Sequence, residues 1–322
     1  MRPCKTLLLL TVVALVSSVV IADEFDESKA IEKIELLGGK VKSADNLPGR
    51  PVVEIDFQNP ARFNDKYVHL LKSFPNLSKL NFSGLTITDA VVKEIGVLEN
   101  LQELSLMHTS VTDAGLQELR NTHLSTFRLS SRTITDEGLK GIKGLRFLRT
   151  LSLDSPMVTD AGMKEISNLK YLTVLSLQRF QMTDAGLMEL AKLENLSKLD
   201  LFNMQITDDG LKELSKSKSL TALNIHNAKI TDDGLKELSN LKDMADLNIQ
   251  EAQISDAGLK ELSKLTNLMT LHIRQPKITD EFTEAGLREL KRTLPDLKIV
   301  QQDAATARVI IIQAGEIVNR RF

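Results

Sequence analysis

The sequence predicts an α/β solenoid, and three observations carry that prediction. From Leu77 to Leu297 one pattern recurs about every 24 residues: L-x-x-L-x-L, five residues, then T-D-x-G-L-x-E-L. Its first position falls at Leu77, Leu101, Leu124, Leu148, Leu172, Leu196, Leu220, Met244, Leu268 and Leu297, at spacings of 24, 23, six times 24, then 29. Within each unit the leucines alternate first, as on a strand, and then recur at i and i+3, as on a helix. A period this regular marks units that each contact only their neighbours. The length of 322 residues would by itself suggest two domains, but a solenoid grows without a second core. At 42% apolar and 26% charged the chain has a globular composition.

The first 22 residues are of another kind. Arg2 and Lys5 precede an uncharged apolar run from Thr6 to Ala22, and acidic Asp23, Glu24 and Asp26 follow. A basic n-region, an apolar h-region and a small residue at the junction read as a secretory signal cut after Ala22. As an uncut helix the run would span ~25 Å, short of the ~30 Å hydrocarbon core, so no membrane span is expected in the mature chain. The expected location is outside the cytoplasm: periplasmic, cell-envelope or extracellular. The single cysteine, Cys4, goes with this segment, which leaves no disulfide, thiol nucleophile or cysteine metal site. The full chain has 41 bases and 43 acids, a net charge of −2. Removal of Arg2 and Lys5 makes it more negative still, which disfavours nucleic acid and anionic lipid as partners.

Residues 23–51 read as an N-terminal helical cap. Ala30, Ile31, Ile34 and Leu37 share one helix face, Gly38-Gly39 stops the helix, and Pro48-Gly49 makes a turn in a polar stretch. The solenoid proper is expected over 52–297. Its first unit is degenerate, with Val52, Ile55 and Phe57 in the leucine columns and Phe63 and Asp65 in the following Ile and Asp columns. In the full units the Ile column (Ile87, Val111, Ile134, Val158, Met182, Ile206, Ile230, Ile254, Ile278) is apolar throughout and points inward. Next comes Thr-Asp, with Ser255 as the one replacement of Thr. Thr is a good helix N-cap and the adjacent Asp suits the positive helix end, so this column reads as capping rather than chemistry. G-L-x-E-L then makes a short helix on the convex side. In the last unit four extra residues, Glu281-Phe282-Thr283-Glu284, separate Asp280 from Gly286 and are expected to lengthen a capping helix. Residues 298–322 read as a C-terminal cap, in which Val309-Ile310-Ile311-Ile312 forms a strand over the last sheet edge.

These units resemble leucine-rich repeats; LTALNIHNAKITDDGLKELSNLKD at 220–243 is a good specimen. The T-D-x-G-L ending is similar to the subclass found in ribonuclease-inhibitor-like solenoids and F-box leucine-rich proteins. With the signal segment and the lead-in LGGKV…PGRPVVEIDF (37–57), the chain looks closest to exported bacterial leucine-rich repeat proteins such as those of planctomycetes. The resemblance covers about residues 50–300. It implies a right-handed arc with a concave parallel sheet, convex short helices and protein recognition as the commonest role. The chain departs from the family in one column. The position often held by Asn or Cys is Leu85, Thr109, Arg132, Pro156, Phe180, Met204, Ala228, Ala252 and Pro276, so no Asn or Cys ladder bonds the turns. No F-box precedes the repeats, which argues against a ubiquitin-ligase substrate adaptor.

Function is expected on the solvent-facing strand positions. The middle units present mainly Ser and Thr. From residue 196 onward the concave columns are richer: Asp200, Phe202, Asn203, Asn224, His226, Asn227, Asn248, Gln250, Glu251, His272 and Arg274. An outward Phe and an Arg are the usual interface anchors, so this amide-rich patch is the expected partner-binding surface. A shared metal is not expected: His226 and His272 lie two strands apart in different columns, ~10 Å or more, whereas two ligands of one zinc each lie ~2 Å from it. No cofactor motif and no H-E-x-x-H, G-x-S-x-G, Walker A or kinase signature is present, so catalysis is not expected. The sequence-level reading is a non-catalytic protein-binding scaffold. The alternative is a structural or glycan-binding cell-envelope protein, since Asn/Gln-rich, weakly charged faces bind glycans.

Overall fold

In the computed structural model, residues 27–57, 62–226, 229–275, 283–303, 308–313 and 316–321 are described. The signal segment, Asn227, Ile278 and Phe282 lie outside these residues. The repeated strands are β2 (Val52–Phe57), β3 (Lys79–Asn81), β4 (Glu103–Met107), β5 (Thr126–Ser130), β6 (Thr150–Asp154), β7 (Val174–Gln178), β8 (Lys198–Phe202), β9 (Ala222–His226), β10 (Asp246–Gln250), β11 (Thr270–Gln275) and β12 (Lys298–Asp303). All eleven are parallel and lie in chain order in one sheet. The register never slips between β4 and β11: Leu104, Phe127, Leu151, Leu175, Leu199, Leu223, Leu247 and Leu271 stand side by side, all buried. A one-residue slip would turn each of these rows to solvent, and that penalty fixes the pairing.

The crossover from β2 to β3 carries a 3-10 helix, Asp65–Ser73, and each later one a short α-helix: α2 (Asp89–Ile95), α3 (Asp113–Glu118), α4 (Asp136–Ile142), α5 (Asp160–Ile166), α6 (Asp184–Leu190), α7 (Asp208–Leu214), α8 (Asp232–Leu238), α9 (Asp256–Leu262) and α10 (Glu284–Thr293). At six to ten residues these helices are below the ~12–15 that stand alone in water, so capping and packing must hold them. Capping is uniform. Thr112, Thr135, Thr159, Thr183, Thr207 and Thr231 each accept at Oγ1 from the backbone N–H two residues on, and Ser255 does so in its unit.

The Asp beside each cap has a role that local pattern did not show. Its carboxylate reaches forward to the next unit. Asp184 Oδ1 accepts from the Thr207 amide at 2.9 Å and Oδ2 from the Thr207 hydroxyl at 2.7 Å. The same pair of bonds joins Asp65 to Thr88, Asp89 to Thr112, Asp113 to Thr135, Asp136 to Thr159 and Asp160 to Thr183. It continues from Asp208 to Thr231, Asp232 to Ser255 and Asp256 to Thr283. Every cap hydroxyl thus donates backward to a carboxylate and accepts from its own helix. The Gly column follows from this latch. A Cβ at Gly115, Gly138, Gly162, Gly186, Gly210, Gly234, Gly258 or Gly286 would sit closer to the preceding unit's Asp Oδ1 than van der Waals contact allows.

The latch also corrects the reading of the last unit. Thr283, not Thr279, receives Asp256 and caps α10. The four extra residues therefore precede the cap, and Thr283-Glu284-Ala285-Gly286-Leu287 is the counterpart of T-D-A-G-L. The family-typical Asn/Cys column is filled instead by buried apolar groups at Leu85, Phe180, Met204 and Ala252.

At the N-terminal end α1 (Glu27–Leu36) buries Ala30 and Ile34. The stretch after it, read from sequence as a polar connection, contains strand β1 (Gly39–Ser43), paired antiparallel with β2. Val41 alternates with polar neighbours there, a period too short to stand out. At the other end β13 (Arg308–Gln313) runs antiparallel on β12, and β14 (Glu316–Arg321) on β13. One continuous apolar core runs from Ala30 to Ile299.

Asp184→Ala removes two hydrogen bonds to a charged group and is expected to lower unfolding stability by about 2 kcal/mol, with Gly210→Ala of similar size because its Cβ displaces the same carboxylate. Urea unfolding of both single variants and the double should give a sum larger than the double-variant loss; strict additivity would detach the Gly column from the latch. In β8, Leu199→Asp should cost about 4 kcal/mol or more, since it buries an unpaired charge, whereas Phe202→Asp, on the opposite side of the same strand, should leave the melting temperature nearly unchanged. Equal losses would reverse the inward and outward assignment.

Candidate functional site

The parallel register turns the outward positions of β8 to β11 into a grid. Asp200, Asn224, Asn248 and His272 form one row, and Phe202, His226, Gln250 and Arg274 the next. Rows this regular exist because the leucines between them are fixed inward, with neighbouring strands ~4.8 Å apart. All eight side chains are half-buried, shielded by their neighbours on the inner curve. Phe202 and His226 touch, with ring centroids 4.5 Å apart and planes tilted by 38°. Gln250 donates to Asn248 at 3.3 Å, and Lys198 lies 3.7 Å from Asp200.

Two features mark this grid. First, Asn224 Oδ1 and Arg274 Nε are shielded from solvent yet have no hydrogen-bond partner among the described residues. Buried polar atoms are ordinarily paired, so each of these favours an incoming group of opposite polarity. Second, burial lowers the pKa of both histidines below the ordinary 6.5. At His226 the nearby Arg274 lowers it further, against Glu251 and Asp200. At His272 Lys298 adds to the lowering and Asp246 opposes it.

Asn203 and Glu251 lie one residue past the strands, in left-handed backbone at φ 58° and 63°. Their amides donate to carbonyls near the ends of the following strands, Asn203 to His226 and Glu251 to Arg274. They stand exposed on the rim of the grid rather than within it. Asn227 occupies the corresponding position after β9 but lies outside the described residues.

A second constellation lies in the middle units, which sequence had shown as plain Ser and Thr. Asp154 and Ser130 are buried side by side in the outward row of β5 and β6. Arg179 grips Asp154 with two bonds, Nε to Oδ1 at 2.6 Å and an Nη to Oδ2 at 2.7 Å, which raises the arginine pKa further. Ser130 donates to Asp154 at 3.0 Å and lies 3.3 Å from His108 Nδ1. Around them is a recess of about 700 Å3, also lined by Met107, Arg132 and Gln178. His, Ser and Asp together suggest a nucleophile relay, but the order is wrong. The serine proton is directed at the carboxylate instead of the imidazole, and Arg179 already neutralises that carboxylate. The signal that sequence did offer was Ser130 and Asp154 in one column with Arg179 a turn further on. Their burial depends on the curvature and could not be read locally.

Among the described residues no three His, Cys, Asp or Glu side chains could share a metal ion. Among the same residues, no helix is long and apolar enough to cross a membrane.

Comparison with known proteins agrees with this architecture. The sequence model of the Leucine Rich repeat family matches four segments, residues 97–119, 120–143, 192–215 and 216–239. No curated protein matches the chain. Among solved structures, an internalin (inlF) from Listeria monocytogenes is similar at 22% identity over 87% of this chain and 83% of that one, with a TM-score of 0.56. Internalin C2 of the same organism is 26% identical over 69% of this chain and 80% of its own, with a TM-score of 0.45. The 24-residue unit, its parallel sheet and its capped outer helices, together with the matched repeats, make this chain a leucine-rich repeat protein.

Proposed function

We propose that the chain is a non-catalytic, exported protein-binding scaffold whose partner docks on the grid of β8 to β11. The observation that carries the reading is the Phe202–His226 contact at 4.5 Å, bordered by the shielded, unpartnered atoms of Asn224 and Arg274. An aromatic ring in the middle of an amide-rich field supplies apolar area, and the unpartnered atoms supply directional polar contacts; interface anchors combine these two properties. Eleven parallel strands at ~4.8 Å give an inner face roughly 50 Å long, ample for a standard interface of ~800 Å2 per partner. Export is supported by the apolar run from Thr6 to Ala22 behind Arg2 and Lys5.

The test is affinity capture from the source organism's envelope fraction, with the chain and its Phe202→Ala/His226→Ala/Arg274→Ala variant side by side. A protein held by the first and lost by the second is the expected result, and with the purified partner the triple variant should lose at least about 2 kcal/mol of binding. Equal capture by both would remove the grid from the account.

The two histidines add a pH dependence. Burial lowers their folded pKa values, so the folded state resists protonation, and the stability this contributes is present above the unfolded value of 6.5 and is lost as pH falls below it. A docked partner excludes more water over His226 and deepens the effect. Partner affinity is therefore expected to weaken as pH drops from about 7.5 to about 5.5, and His226→Gln should flatten the profile. A profile of equal slope in that variant would show that His226 stays solvated in the complex.

A further inference from the structure

Away from the concave face, the edge where each helix returns to the next strand has its own recurring device. The residue just before the first strand leucine is Asn in several units, and its amide ties back to the preceding unit. Asn100 donates to the Pro75 carbonyl at 2.8 Å, Asn195 to Lys170 at 2.8 Å and Asn267 to Lys242 at 2.9 Å. Two units carry the small polar residues Ser219 and Asp243 there instead, and three consecutive units carry rings, His123, Phe147 and Tyr171. Phe147 and Tyr171 are 54% and 58% exposed, the only aromatics among the exposed large hydrophobic side chains of the described residues. His123 stacks on Phe147 with centroids 5.3 Å apart. A solenoid that trades a structural hydrogen bond for exposed rings in adjacent units gains nothing in stability from the exchange.

The same three units concentrate positive charge. A recess of about 560 Å3 is lined by Arg120, Lys140, Lys143, Arg146 and Lys170, with Asn168, Tyr171 and Gly144. Lys140 pairs with Glu137 at 2.6 Å and Lys143 lies 3.9 Å from Glu165. Arg120, Arg146 and Lys170 make no ion pair among the described residues, in a chain whose net charge is negative. The recess is within the size range of a small-ligand site. It offers cations for carboxylates, an amide for hydroxyls and exposed ring surface for the C–H face of a sugar.

We propose that this edge binds an acidic polysaccharide, whose sugar rings lie on Tyr171 and Phe147 and whose carboxylates meet Arg120, Arg146 and Lys170. Stacked nucleobases fit less well, because they need ring faces open in series and His123 already covers one face of Phe147. The site is independent of the concave grid, so the chain can hold a protein on one surface and a charged glycan on another.

The experiment is titration of the full chain with oligogalacturonate, with a neutral malto-oligosaccharide of equal length as control. The acidic oligomer should bind and the neutral one should not, and the affinity should fall as salt screens the contacts. Arg146→Glu/Lys170→Glu should weaken binding at least about tenfold. Phe147→Asn/Tyr171→Asn should do the same with an unchanged or higher melting temperature, because Asn is the tie that neighbouring units already use. Phe202→Asp should leave oligogalacturonate binding as it was, which separates this site from the grid. Equal binding of the neutral oligomer, or unchanged affinity in both edge variants, would overturn the proposal. So would tighter binding of oligothymidylate, or of phosphatidylglycerol vesicles, than of oligogalacturonate.

Discussion

One carboxylate fastens each unit to the next. The Asp at the start of a helix accepts both the amide and the hydroxyl of the following unit's cap, nine times in succession from Asp65 to Asp256. Three other features depend on it. Helices too short to stand alone are held at their first turn. The Gly column is kept bare so that the carboxylate can approach. Adjacent turns are locked at one spacing on the helical side, which keeps the strands in step on the other. The latch thereby does the work that an Asn or Cys ladder performs in related repeats, and frees that column for Leu85, Phe180 and Met204 to fill with apolar volume.

The division between what was legible in the chain and what was not follows range. Inward leucines, the Thr caps and the apolar Ile column depend on neighbours within a few residues, and periodicity exposes them directly. The latch joins residues 22 to 27 apart, as with Asp113 to Thr135 and Asp256 to Thr283. Local reasoning found the Asp beside the cap and gave it the nearer role of meeting the helix dipole. The same blindness to long-range partners misplaced the insertion of the last unit, where Thr279-Asp280 matched the pattern but Thr283 holds the bond. The candidate grid was legible because alternation alone decides which strand positions face outward. The burial of Asp154 under Arg179 was not, because it requires knowing how tightly adjacent turns crowd the inner curve.

The inner face is not uniform. Its middle units spend their polarity internally, on the Ser130–Asp154–Arg179 chain, whereas β8 to β11 leave polar atoms unspent at Asn224 and Arg274. The strands that carry this internal chain, β5 to β7, are the ones whose edge carries the exposed rings of Phe147 and Tyr171.

The latch also has a polarity. A unit offers its carboxylate forward and its hydroxyl backward, like a plug and a socket, so any interior unit can follow any other. The chain can lengthen or shorten by whole turns without inventing a new junction. The terminal units cannot join in this exchange. The 3-10 helix of the first unit, Asp65–Ser73, has Asn64 as its cap instead of Thr, and the last helix starts with Glu284, whose longer side chain pairs with Arg288 in its own helix. With antiparallel strands laid over both sheet edges, the two ends are mismatched connectors. Neither end repeats the junction that every interior unit uses.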